Sequence, residues 1–364
     1  MKNRIIDLIR EAEVFRKKTR YREALKLFKN ALSLSRKHGN VEGILDATLG
    51  TADISRMTGD FDSAIKNYEE ALEACEAMGN RLTAADCMVG IGLSLRAIGM
   101  WKEALRFINA AKKIYDRERD RKGTAFSLWA EAGALRVGGN IRKSIALFKD
   151  AKSAFSSVGF KPGVAYALCG LGGTHRIAGK FGDSLRYYLQ ANNMFNKLGD
   201  RFGTAYSHCG IGNAYRMKGR YADAMKHFRK ATKLYEDIGD IVSYSYTLWS
   251  VAELYKMQRD FTKAKLRIAT ALSNFKKTKD PRGVIYCDLT LGEIDFMSGR
   301  NAAAGKRLRR ALADAVKHSF SLEQFHANTL LAFLAGASAN TVPLSGYKKI
   351  GVAMRTLSSP FNIP

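Results

Sequence analysis

A cation recurs at every fortieth residue: Arg16, Arg56, Arg96, Arg136, Arg176 and Arg216, then Lys256, before Phe296 ends the series. Arginine suits carboxylates because its planar fork can bond both oxygens. If the repeat builds stacked helices, neighbouring members of the series stand ~10 Å apart. Each pair then repels by about 0.4 kcal/mol in water, or about 1.7 kcal/mol at an effective dielectric near 20. A structural role gains nothing from repeating that repulsion, whereas an anionic partner relieves it. The helix dipole offers a plainer reason for a cation near a helix end, worth about 0.3–1 kcal/mol, but lysine would serve the dipole equally well.

Three more series keep the same period. One is Tyr166, Tyr206, Tyr246 and Tyr286, preceded by Phe126; one is Trp129, Cys169, Cys209 and Trp249; one is Glu13, Asp53, Leu93, Gly133, Gly173, Asn213, Glu253 and Glu293. In the sixth repeat these positions are Tyr206, Cys209, Asn213 and Arg216, whose spacing of three and four residues puts them on one helix face. Aromatic residues at helical spacing are more often core than surface, yet tyrosine, tryptophan and arginine also dominate binding hot spots. The candidate peptide-binding residues are therefore Arg96, Arg136, Arg176, Arg216, Lys256, Tyr166, Tyr206, Tyr246, Tyr286, Trp129, Trp249 and Asn213. The acids Asp53, Glu253 and Glu293 would neutralise part of the cationic series. The expected ligand is an extended or helical peptide carrying both acidic and large apolar residues.

The elements that position these residues repeat as well. Ala24, Ala64, Ala104, Ser144, Ser184, Ala224, Ala264 and Ala304 form one small-residue column, and Ala31 to Ala311 form another, alanine in all eight members. Helices approach closely only where side chains are small, and a large residue there would overpack by about 1–3 kcal/mol. In the sixth repeat the pattern predicts a first helix from about Thr204 to Lys218 and a second from Tyr221 to about Ile238, each ended by a glycine, with Asp240 capping the next. A fixed period of this length marks a solenoid. The stretch GIGNAYRMKGRYADAMKHFRKA, with Gly212, Tyr215, Gly219, Tyr221, Ala224, Phe228 and Ala231 on signature positions, resembles a tetratricopeptide repeat. The forty-residue period is similar to the subtype in Pins-type polarity adaptors and kinesin light chains, although the usual proline at the repeat end is missing. The resemblance implies an all-α fold, an α-solenoid in which about eight helical hairpins wind into a right-handed superhelix with first helices lining the concave face. It also implies protein binding. Residues 1–320 form the solenoid and 321–364 its C-terminal capping helices and tail. QFHANTLLAFLAGA reads as one further helix, LSGYKKIGVAMRTLSS as a last one, and SSPFNIP as a mobile tail. Repeat eight, with Phe296, Asn301 and Gly305 off pattern, is expected to pack least regularly.

The formal charge of +26 favours acidic partners. Five widely spaced cysteines without a CxxC argue against a disulfide framework or zinc site and for a reducing, cytoplasmic setting. No HExxH, phosphate-binding loop or nucleophile–base pair occurs, so neither enzyme activity nor a cofactor or metal is expected. No apolar run is long enough to span a membrane. The second reading is accessory nucleic-acid binding, RNA above all, by the late basic run with Lys306, Arg307, Arg309 and Arg310. Oligomeric state is not legible.

Overall fold

The computed structural model describes residues 2–338, 344–353 and 358–364. Its helices, in order, are α1 Lys2–Lys17, α2 Tyr21–Lys37, α3 Val41–Thr58, α4 Phe61–Ala77, α5 Arg81–Ala97, α6 Trp101–Arg117, α7 Arg121–Val137, α8 Ile141–Ser157 and α9 Lys161–Ile177. They continue with α10 Phe181–Leu198, α11 Arg201–Met217, α12 Tyr221–Ile238, α13 Ile241–Met257, α14 Phe261–Lys277, α15 Pro281–Met297, α16 Asn301–Lys317, α17 Ser321–Leu334 and α18 Ser345–Ile350. Helices α1 to α16 pair into eight hairpins, one per repeat, and among the described residues there is no strand. The chain is an all-α solenoid.

Local chemistry sets the period. From residue 19 to residue 319 every twentieth residue has a positive φ, which closes one helix and redirects the chain into the next. Glycine fills most of these positions because it lacks the Cβ that strains this region; Thr19, Arg119, Arg259, Lys279 and Ser319 adopt it without that freedom. One residue on, Asn40, Asn80, Asp120, Asp200, Asp240 and Asp280 each accept a backbone N–H from the first turn of the following odd-numbered helix. Phe160 offers no such cap, and Pro162 stands in the first turn of α9 instead. Because Asp200 caps at Arg201, α11 begins three residues before the expected Thr204.

The alanine columns are fully buried. At Gly212 a Cβ would lie 2.6 Å from the Phe228 ring and 3.2 Å from the Ala224 carbonyl, so α11 and α12 meet at backbone distance there. Repeat eight is as regular as the others, contrary to expectation: Ala304, Leu308, Ala311 and Ala315 of α16 are buried, and the off-pattern Asn301 faces solvent, where its polarity costs nothing. α17 covers the end of the stack through Leu330 and Phe333, both buried. Of the predicted last helix α18 forms the first part, and Met354 to Leu357 lie outside the described residues.

Odd-numbered helices pack on one another in sequence, α1 on α3 through to α15 on α17, and so form the inner layer of a curved stack. The curve closes on itself. Trp101 Nε1 donates to the His318 carbonyl (3.2 Å), Lys102 Nζ to Ser319 Oγ (3.1 Å), and Lys279 pairs with Asp62, each contact joining residues 217 apart. Gly59, Gly99 and Gly139 lie along this seam. A Cβ on Gly99 would stand 2.6 Å from Pro281 Cγ. Repeats two to four are thereby latched to repeats seven and eight and to the cap.

Candidate functional site

The cationic series lies on the inner layer as one ladder, but its members meet different surroundings. The residue thirty-seven positions ahead, on the next inner helix, and the residue three positions behind, one turn back, both point at each cation. Where these are acids the cation is paired. Arg16 meets Glu13 (2.7 Å) and Asp53 (3.7 Å), and Arg56 meets Asp53 (3.5 Å) and Tyr68 Oη (3.2 Å). At the other end Lys256 meets Glu253 (3.0 Å) and Glu293 (2.7 Å), and Arg216 meets Glu253 (3.6 Å).

Among the described residues the middle of the ladder has no such partners. Gly133 and Gly173 occupy the counter-ion positions of Arg96 and Arg136. A Cβ there would fall 2.3 and 2.8 Å from the respective guanidinium, so glycine leaves the space the cation fills. Arg96 and Arg136 lie instead near the rings of Trp129 and Phe148, at 5.9 and 5.8 Å, the distance of a cation–π contact. Arg176 keeps two buried guanidinium nitrogens, Nε and Nη1, without a hydrogen-bond partner among the described residues. Burial, and then the neighbouring charge of Arg136, pulls Arg96 down to about 10. Burial is the larger cause, and repulsion from the neighbouring cation adds to it.

At the Arg96 end of this run a cavity of ≈ 400 Å³ opens inside the curve, bordered by Arg56, Arg96, Phe126, Trp129, Tyr166 and Phe202; Arg136 and Arg176 do not line it. Phe126 stacks on Trp129 at 5.5 Å. Tyr166 donates to Asp200 (2.9 Å) and crosses Trp129 edge-on at 6.4 Å, and Tyr206 stacks on Phe202 at 6.4 Å. Phe202 carries no repeat signature and was not among the expected residues.

Arg216 and Lys256, expected to stand open, are completely buried. The physical reason is the segment Ser359–Pro364, expected to be a mobile tail but instead laid into the hollow of repeats six to eight. Lys256 Nζ donates to the Phe361 carbonyl (2.8 Å) and Arg216 Nη2 to the Ile363 carbonyl (2.8 Å). Arg216 Nη1 bonds Asn362 Oδ1, the Phe361 N–H donates to Glu293, and Ser359 Oγ donates to Glu293 (3.1 Å). Burial pulls Arg216 down to about 10 although Glu253 opposes this, and burial raises Glu293 against the pull of Lys256. Asn213 accepts from Arg216 and donates to Ser250 (3.0 Å). Trp249 donates to Thr290 (2.9 Å) and packs at 4.7 Å on Tyr286, while Tyr246 meets Phe275 edge-on. Among the expected residues, then, Arg96, Arg136, Arg176, Trp129, Tyr166 and Tyr206 lie along the open stretch. Arg216, Lys256, Asn213, Trp249, Tyr246 and Tyr286 build the filled one.

The late basic run lies on α16, outside the hollow. Arg310 pairs with Asp288, Arg307 reaches Asp288 (3.8 Å) and Asp295 (3.0 Å), and Lys306 and Arg309 face solvent. All five cysteines are free, and burial pushes the thiols of Cys169 and Cys209 upward, away from thiolate chemistry. Among the described residues no three His, Cys, Asp or Glu side chains gather as a metal site, and no helix is long and apolar enough to cross a membrane.

Comparison with solved structures returns the same architecture. A Rap protein complexed with Competence and Sporulation Factor aligns over 91% of this chain and 99% of its own, at 13% identity and a TM-score of 0.59. The Rap conjugation gene regulator of plasmid pLS20, in complex with the Phr* peptide, aligns over 86% and 95% at 13% identity and 0.66. NprR in complex with its cognate peptide NprX aligns over 95% and 98% at 14% identity and 0.62. At such identities the likeness speaks for the fold. No curated protein sequence matches the chain. The tetratricopeptide-repeat family model matches residues 8–77 and 163–237; the chain carries tetratricopeptide repeats there, and the same helical hairpin continues through all eight units.

Proposed function

We propose that the chain is a non-enzymatic scaffold that holds an acidic, partly aromatic peptide inside its curve. The observation that carries this reading is a run of three guanidinium groups, Arg96, Arg136 and Arg176, that pair with no carboxylate among the described residues, the first of them bordering an apolar cavity. Carboxylates of the ligand bond the arginines, and one large apolar side chain fills the space between Trp129, Tyr166 and Phe202. Burying an aromatic residue there supplies apolar contact, and the arginines supply register and selection for negative charge. The three structures described above were each solved with a peptide or factor bound, which supports the use of this fold for such ligands. The free cysteines fit a reducing compartment such as the cytoplasm. The basic outer face of α16 takes second place, because Arg307 and Arg310 already face acids.

The test is a binding titration of labelled acidic nonapeptides with one central tryptophan, against neutral counterparts. Wild type is expected to prefer the acidic set, and Arg136→Glu with Arg176→Glu to lose at least about tenfold in affinity, a difference of ~1.4 kcal/mol, with helicity unchanged. Equal binding by the doubly reversed variant removes the reading.

A further inference from the structure

Ser359–Pro364 sits in the hollow as a bound peptide would sit. Its backbone is read by successive rungs of the ladder: Lys256 takes the carbonyl of Phe361 and Arg216 takes that of Ile363. Carbonyls two residues apart on an extended chain point to the same side, ~7 Å from one another. The segment therefore runs against the repeat order, from Glu293 in repeat eight towards repeat five. Its side chains are read as well. Phe361 and Ile363 are buried, Phe361 meeting His326 edge-on at 5.3 Å, and Asn362 bonds both the side chain and the carbonyl of Arg216.

We propose that the hollow of repeats six to eight is an exchangeable peptide site, occupied in cis by Ser359–Pro364 and able to accept in trans an extended peptide of the same Phe-Asn-Ile pattern. Two features separate this from ordinary core packing. The lining of Arg216, Glu253, Lys256 and Glu293 is charged and balanced, two of each sign. A segment packed permanently is held as well or better by apolar groups, since buried ion pairs seldom repay their desolvation. A charged lining can instead rehydrate when its occupant leaves. The second feature is Arg176, the next member of the ladder, whose Nε and Nη1 are buried and without a hydrogen-bond partner among the described residues. A ligand two residues longer brings its next carbonyl to that rung. This inference stands on the contacts of the segment and is independent of the acidic-peptide reading.

The experiment titrates the peptide SSPFNIP, fluorescein-labelled at its N-terminus, into wild type and into Phe361→Ser with Ile363→Ser, followed by anisotropy. The released variant is expected to bind saturably, and wild type at least about tenfold more weakly, since its competent fraction is small. The same peptide with serine for phenylalanine is expected not to bind. No binding by a variant of unchanged helicity overturns the proposal, and so does equal binding by both proteins. Hydrogen exchange on wild type tests it without any substitution. The Phe361 amide is expected to exchange well before the core amides of α13 and α15, and faster still with excess unlabelled peptide. Exchange of Phe361 only together with those amides marks a permanent strand and ends the proposal.

Discussion

Repeats three to five and repeats six to eight present the same ladder position in opposite conditions. In the later stretch Arg216 and Lys256 are fully buried, matched by Glu253 and Glu293, and sealed by the chain's own residues. In the middle stretch Arg96, Arg136 and Arg176 are half-buried and face glycine, glycine and asparagine where the others face acids. What a repeated residue does is thus set by two neighbours, one turn behind and one repeat ahead. Position in the repeat fixes where the charge points, and those neighbours decide whether it is spent inside the protein.

The sharpest way to break that comparison is to remove one rung from each stretch. Lys256→Ala leaves Glu293 buried without its cation and Glu253 with Arg216 alone, and is expected to cost about 3–5 kcal/mol in denaturant unfolding. Arg136→Ala strands no acid and relieves Arg96, so its cost stays under about 1 kcal/mol. Equal costs would show that the two stretches do not differ as described.

Acid probes the later stretch by a different route. His326 is buried against Tyr347 and Phe361, and burial, then Arg282 and Lys256, lowers it to about 3. A histidine depressed below its ordinary 6.5 leaves the folded state binding fewer protons than the unfolded chain, so its contribution is intact above pH 6.5 and is lost as pH falls towards 3. Between pH 7 and pH 5 the loss amounts to about 2 kcal/mol, while the raised Glu293 works in the opposite sense. Unfolding midpoints of wild type and His326→Gln at the two pH values isolate the histidine. A slope unchanged by the substitution would rule it out.

The smallest expected change in stability sharpens the comparison in the middle stretch. Gly133→Asp places a carboxylate between Arg96 and Arg136, displacing only the mobile end of Arg96. Stability is expected to rise by less than about 1 kcal/mol, while preference for acidic peptides disappears. A preserved preference would show that these two arginines do not select the ligand.

Much of this was legible in the residues. The small columns, the glycine punctuation and the Asn or Asp caps each have a local cause, and the helices follow them to within a few residues. The acids Asp53, Glu253 and Glu293 were visible as neutralising groups, and the glycines at 133 and 173 stood in the same series. What escaped was non-local. Ser359–Pro364 has no periodicity, and its hydrogen bonds reach partners 66 to 147 residues away. The burial of Arg216 and Lys256 follows from that segment, so sequence reasoning left both cations open. Phe202 joins the cavity only because repeats curve around it.

The latch between residues 217 apart changes how the molecule behaves as a mechanical object. An open array of repeats acts as a spring: each unit feels only its neighbours, the ends fray, and the pitch can lengthen to admit a thick guest from the side. Here the second turn is bolted to the first, so losing repeat two also loosens repeat seven. An array latched in this way is expected to melt as one cooperative body, and the proposed guest to reach the bore by threading along its axis unless those bolts part first.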